Sequence, residues 1–224
     1  MKYKNVVSGR FLSRPNRFIA HIEIDGKDEI CHVMNTGRMK ELLLPDAKVF
    51  LTASDNPNRK TKYDLIGVRH GGEIVNIDSI APNKVANEYI PKLFPHAKLI
   101  KPETFYKKSR FDFYIEDNND RIFLEVKGVT LNADGQARFP DAPTERGTKH
   151  LHELTEAKAE GYRAAILFVI AMKGISSFAP NCETDPAFAA ALSCAKKNGV
   201  EIYAVDCVVT EDSIYADKEI PVFL

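Results

Sequence analysis

Residues 110–128, RFDFYIEDNNDRIFLEVKG, constrain the fold more than any other part of the chain. Two alternating runs flank Asn118-Asn119, and Asn tolerates the positive φ that a two-residue hairpin turn requires. With those residues at the tip, Arg110 opposes Lys127, Asp112 opposes Glu125, Tyr114 opposes Phe123 and Glu116 opposes Arg121, all on one face. Phe111, Phe113, Ile115, Ile122, Leu124 and Val126 make the other face, which is wholly apolar and must pack on helices. A one-residue slip would bury the charges, so the register is well specified. Opposed Cβ atoms in a sheet sit about 4.5–5.5 Å apart, and two carboxylates placed there repel. A raised pKa relieves the repulsion, and so does a cation. A hard divalent ion such as Mg²⁺ takes oxygen ligands and is commonly held by one or two carboxylates. Lys127 leaves the same face one pleat beyond Glu125, within reach of a water or a phosphate oxygen. A charged solvent face neutralised by Lys127 and Arg110 accounts for the same residues without chemistry.

The chain has 224 residues, 44% of them hydrophobic and 28% charged, the composition of a folded protein. Up to about residue 80 it reads as short strands. RFIAHIEID (17–25) alternates and ends in Asp25-Gly26, a strong hairpin signal. EICHVMN, AKVFLTAS, KYDLIGVRH and GEIVNIDS continue the pattern, which suits a small OB-like β-barrel. Ala81-Pro82-Asn83 reads as a boundary, giving expected domains 1–82 and 83–224. Asn83 is expected to cap a short helix, KVANEYIPKLF, ended by Pro91 or Pro95. The 110–128 hairpin follows, then a polar loop, NADGQARFPDAPTERG. A helix after Thr148 would share Leu151, Leu154 and Ala157 on one face and stop at Gly161. RAAILFVIA (163–171) is apolar enough for a strand buried on both faces. Asp185-Pro186 starts a helix with the stripe Phe188, Ala191, Leu192, Ala195, and VEIYAVDC (200–207) is a further strand. The expected class is therefore α/β in two domains, an OB-like barrel followed by a mixed α/β sheet covered by helices.

Net charge is zero, but it is unevenly distributed. Residues 1–17 carry five basic and no acidic side chains, residues 84–110 seven and two, and residues 175–224 three and eight. Local basic clusters rather than overall pI bind phosphates. Cys31, Cys182, Cys194 and Cys207 are scattered without CxxC spacing, so reduced thiols are expected and a zinc site is not. The six histidines read as mostly structural, with His150 and His152 on different sides of their helix. No apolar run reaches the roughly 20 residues of a membrane span, and the N-terminus lacks a signal-peptide core. A cytoplasmic protein with no membrane partner is expected.

The residues around the hairpin resemble the PD-(D/E)xK nuclease superfamily, whose core is helix, three strands, helix, strand. Asp112 would be the first Asp of the motif and Glu125-Val126-Lys127 its second half. Phe111 stands where Pro is often found, and Pro140-Asp141 comes too late to serve. Some members add a Glu from the first helix, which here would be Glu88. From near Arg10 to near Asp206 the chain is also similar to the sugar fermentation stimulation protein family, through CHVMNTGRM (31–39), SRFDFYIED, FLEVKGVTL and ARFPDAPTERGTKHLHEL. That resemblance implies an OB-like domain joined to a restriction-endonuclease-like domain, and contact with DNA more firmly than cutting.

Two readings follow. In the first, the protein is a Mg²⁺- or Mn²⁺-dependent nuclease. Asp112 and Glu125, with Glu88, hold the metal, and Lys127 joins them in catalysis. Arg10, Arg14, Arg17 and Arg38 of the barrel hold single-stranded or distorted DNA. Asn35-Thr36-Gly37-Arg38 forms a turn whose Arg forks onto a phosphate. Arg146 and Lys149, near a helix N-terminus, bind phosphate too. In the second, the protein is a DNA-binding transcriptional regulator on a nuclease scaffold, without turnover. A sugar-binding or metabolic enzyme is disfavoured, since there is no Gly-rich phosphate loop, dinucleotide fingerprint or nucleophile elbow, and Gly71-Gly72 is a turn at best. A homodimer would suit cleavage of two strands, though no residue demonstrates it.

Overall fold

The computed structural model describes residues 1–35, 37–56 and 58–224. The first unit contains β1 (Val6–Asn16), β2 (Ile19–Ile24), β3 (Lys27–Val33), β4 (Lys48–Ala53), β5 (Tyr63–His70) and β6 (Glu73–Asn76). Asp25 and Gly26, with φ of 50° and 76°, make the β2–β3 hairpin turn that the sequence predicts. Antiparallel pairing runs β3-β2-β1-β4-β5-β6, and parallel pairing of His32 with Asp64 and Val33 with Leu65 joins β3 to β5. Five strands thus close an OB barrel. The seam is held by Asp64, which accepts two bonds of 2.6 Å from Arg59 and one of 2.9 Å from His32 Nδ1. Burial would raise the Asp64 pKa, but these two partners lower it. β1, absent from the sequence reading, carries Gly9 and alternates irregularly through bulges against β2.

A linker leads into α1 (Ala81–Leu93), β7 (Ala97–Tyr106), β8 (Ser109–Asp117), β9 (Asp120–Val129), β10 (Leu131–Ala133), β11 (Gln136–Phe139), α2 (Glu145–Ala159), β12 (Arg163–Ile170), β13 (Ser177–Pro180), α3 (Pro186–Lys197), β14 (Glu201–Val209) and β15 (Ile214–Glu219). The main sheet has the order β15-β14-β12-β9-β8-β7, with β9, β12 and β14 mutually parallel. This is the expected mixed sheet. α1 buries Val85, Ala86, Tyr89 and Ile90 against Phe113, Ile115, Leu124 and Val126 on one face. α2 and α3 bury Leu151, Leu154, Phe188 and Leu192 against Phe111, Phe123, Ile166 and Phe168 on the other. That second core runs without a break into the barrel interior.

Several local expectations need correction. Asn83 does not cap α1, which begins at Ala81 with Pro82 in its first turn and contains Pro91. β7 escaped notice because it is an edge strand, mostly exposed and interrupted by Pro102 and by Glu103 at φ 51°. The polar loop contains the β10–β11 hairpin, turned by Asp134-Gly135 at φ 52° and 84°. α2 begins at Glu145, before Thr148, and is capped by the Thr144 hydroxyl accepting from Gly147 N–H at 3.1 Å. α3 starts at Pro186 under the Asp185 cap as expected. No helix among the described residues is long and apolar enough to cross a membrane.

Asp185 does more than cap. One oxygen accepts from Phe188 N–H at 2.9 Å and the other from Thr144 N–H at 2.8 Å, tying the starts of α3 and α2 together. Asp185→Ala leaves two amides without these partners. The expected loss is about 1–3 kcal/mol, read as a lower urea midpoint at unchanged slope.

Candidate metal and nucleic-acid site

The hairpin pairs Tyr114 with Phe123 and Glu116 with Arg121, in the expected register, with Asn118 at φ 55° in the turn. The ladder stops at Phe113 and Leu124, so Asp112–Glu125 and Arg110–Lys127 are not paired residues. Asp112 itself accounts for the splay. Its carboxylate accepts the Val126 N–H at 2.8 Å, replacing a strand partner. The faces also exchange there, since Phe111 joins the core under α2 whereas Phe113 and Ile115 face α1. The expectation of one wholly apolar face therefore fails at Phe111. The opposite face is not open to solvent, because α2 covers Phe123 and Glu125.

Glu125 is only 3% exposed. Its Oε1 accepts from Lys127 Nζ at 2.6 Å and also contacts His150 Nδ1. An ionised carboxylate only accepts hydrogen bonds, which assigns the Nδ1 proton to His150. Burial alone would raise the Glu125 pKa, but His150 and Lys127 bring it below the usual range. Oε2 is buried and without a hydrogen-bond partner among the described residues. Asp112 has the opposite balance. Burial and the Glu125 charge raise its pKa, outweighing the bonds from Val126 N–H and from Asn83 Nδ2 at 2.8 Å. The like-charge problem is thus divided, with Lys127 and the His150 N–H on one acid and neutral amide donors on the other.

His150 is the residue that the sequence reading missed. It is as buried as Glu125, and its position three residues before Glu153 on a helix carried no motif to single it out. Asn83, expected as a cap, acts instead on Asp112. Glu88 lies elsewhere. It is five residues beyond Asn83, about 140° around the helix, exposed, and paired with the Met1 amino group at 2.8 Å. No group of three or more His, Cys, Asp or Glu side chains suited to a metal occurs among the described residues. Two carboxylates still fit a hard divalent ion that keeps part of its water shell. The orphaned Glu125 oxygen and the desolvated Asp112 both supply what such an ion takes.

The basic candidates separate into two groups. Arg10 pairs with Glu23 at 2.7 Å and with Asp46. Arg14 is spent on backbone, donating to the carbonyls of Asn35, Gly37, Arg38 and Arg17 at 2.8–3.0 Å. It shapes the turn rather than facing a ligand. Arg17 and Arg38 are exposed, and the Arg17 guanidinium lies 5.5 Å from the Phe18 ring centre. Arg146 and Lys149 are exposed on the first turns of α2, with Lys149 3.6 Å from Glu153. Of the Asn35–Arg38 turn, Thr36 lies outside the described residues.

Position 128 must be glycine for this site to form. A Cβ there would stand 2.6 Å from Pro82 Cγ, and the rigid ring cannot swing away. Gly128→Ala therefore pushes the α1 start, with Asn83, off the sheet, at an expected cost of about 1–3 kcal/mol in denaturant unfolding. The two acids also predict opposite pH effects in metal-free protein. Asp112, raised in the folded state, favours folding only below its unfolded value of about 3.9, and that benefit is lost as pH rises through the folded pKa. Asp112→Asn should thus raise the melting temperature at pH 7 and lose this advantage near pH 3. Glu125, lowered on folding, stabilises above about 4.3 and ceases to do so as pH falls through its folded value. Glu125→Gln should destabilise at pH 7. Scanning calorimetry in EDTA at both pH values checks both signs.

Comparison with known proteins agrees with this architecture. Residues 12–77 match the family described as SfsA N-terminal OB domain, and residues 80–213 the sugar fermentation stimulation protein RE domain. A sugar fermentation stimulation protein homolog of Clostridium beijerinckii is 56% identical over 226 residues, covering 100% of both chains. One of Desulfitobacterium hafniense is 57% identical over 225 residues, covering 100% of this chain and 99% of its own. The structure of Pyrococcus furiosus SfsA in complex with Ca²⁺ is similar at a TM-score of 0.89 and 32% identity, covering 100% of this chain and 98% of that one. A barrel closed by Asp64, a splayed strand pair with one buried and one half-buried acid, and these full-length matches agree: the chain belongs to the sugar fermentation stimulation protein family.

Proposed function

We propose that the protein is a divalent-metal-dependent nuclease that hydrolyses phosphodiester bonds of DNA. The observation that carries this is the buried Oε2 of Glu125, without a partner among the described residues, beside an Asp112 whose pKa is raised. A structural salt bridge would satisfy both oxygens of a buried carboxylate; this one leaves an acceptor for a cation. Mg²⁺ or Mn²⁺ held by Asp112 and Glu125 would supply Lewis acidity toward a phosphoryl oxygen and its attacking water. The Pyrococcus furiosus relative forms a complex with Ca²⁺, which supports a hard-cation site.

The chain's own groups have separable tasks. Lys127 has three N–H donors and spends one on Glu125, so two remain for a phosphate oxygen or a water as negative charge develops. His150 and Asn83 hold the two acids in place. Water adds across a P–O bond, leaving a phosphate monoester on one end and a hydroxyl on the other. Arg17 and Arg38 on the barrel and Arg146 and Lys149 on α2 hold the backbone. A regulator that binds DNA without turnover is the competing reading, and the engagement of both Asp112 oxygens by protein donors favours it.

The test is cleavage of labelled single-stranded, duplex and branched DNA with Mg²⁺ or Mn²⁺. The expected outcome is metal-dependent cutting that Asp112→Asn reduces by at least about a hundredfold while the variant stays folded and still binds DNA. Binding with no cutting of any substrate in either metal favours the regulator.

A further inference from the structure

A cavity of about 350 Å³ lies where the barrel meets the sheet unit. Its walls come from Asn35, Gly37 and Met39, the linker at 76–82, the end of β9, and the segment from Arg138 to the α2 cap Thr144. Three of these walls are next in the chain to site residues or cap the helix that carries one. Gly128 follows Lys127, Pro82 precedes Asn83, and Thr144 caps the helix that carries His150. The cavity also adjoins a hollow of about 580 Å³ on the barrel, lined by Arg14, Arg17 and Arg38; Gly37 and Met39 form part of both. The two hollows therefore meet at Gly37, which links the exposed barrel cations to the cavity.

We propose that this cavity receives one nucleotide of an unpaired strand, with Arg138 as the phosphate-binding residue. This rests on the nucleic-acid reading above and deepens it. The volume falls in the about 300–1,000 Å³ range of small-molecule sites, and admits one unit of a chain but no base pair. Apolar walls from Met39, Val129 and Pro140 suit a base face. Arg138 is half-buried, and its guanidinium makes a single hydrogen bond among the described residues, Nε to Gln136 Oε1 at 3.3 Å. Its terminal nitrogens remain to grip a phosphate as a fork. Gly37 belongs to the same design, since a Cβ there would stand 2.8 Å from Asp141 Oδ2 and narrow the passage.

The test is fluorescence anisotropy in EDTA with a labelled single-stranded oligonucleotide and its duplex, so that binding is read apart from cutting. The proteins are the parent, Arg138→Ala, which removes the anion contact, and Thr130→Phe, which fills the cavity without changing charge. Thermal melts confirm that both variants fold. Each is expected to weaken single-strand binding about tenfold and duplex binding far less. Parent-like single-strand binding by both folded variants overturns the assignment, as does a parent protein that binds no single strand. If both variants lose single-strand binding while no protein cuts DNA in Mg²⁺ or Mn²⁺, the nuclease reading falls and the cavity assignment stands.

Discussion

Burying the carboxylate of Glu125 beneath α2 is the constraint on which the site's other features depend. A lone ion in such a place would cost several kcal/mol, so the surroundings have to answer it. Lys127 does so from the same strand and His150 from the covering helix, both on one oxygen. Burial makes Asp112 less acidic, and with Glu125 thereby held ionised a neighbour of like charge adds to the effect. It keeps its position through neutral donors, Asn83 at the head of α1 and the Val126 amide. Helices from both faces of the sheet thus converge on one strand pair, and each delivers a single polar side chain to it.

Much of this arrangement was legible in the order of residues. The register of the hairpin follows from Asn118-Asn119 and strict alternation, and Asp185-Pro186 marks the start of α3 because cap and first-turn preferences agree there. β12 announces itself as an unbroken apolar run, as a strand covered on both faces does. The barrel was readable from Asp25-Gly26 and the alternating runs beside it, whereas its closure by parallel pairing of β3 with β5 joins residues some thirty positions apart and left no local trace.

What escaped notice has physical causes. β7 tolerates Pro102 and a left-handed Glu103 because one of its edges is unpaired, so it need not show a pattern. The Asp134-Gly135 turn obeys the rule that identified Asp25-Gly26, but its flanking strands are short and polar. Alternation also misplaced Phe111, because the strand pairing stops where the Asp112 carboxylate takes the Val126 amide, and Phe111 lies just beyond that break. His150 was hidden for a different reason. A buried histidine on an apolar helix face looks the same in sequence whether it fills space or holds a proton for a carboxylate. Only the opposing strand distinguishes the two.

The extreme N-terminal residues, which precede the first barrel strand, reach beyond the barrel as well as packing on it. Lys2 bridges to Ser213, and the Tyr3 amide donates to the Asp212 carbonyl at 2.7 Å, across the rim of the other sheet. Excising the barrel as a separate polypeptide would therefore strip that leading segment of its backbone partners Asp212 and Ser213 while leaving its bonds to Asn76 and Asp78. The converse excision would uncover the Ser213 edge. The two units are covalently consecutive but interlaced at their ends, so neither can be expected to behave in isolation as it does in the whole chain.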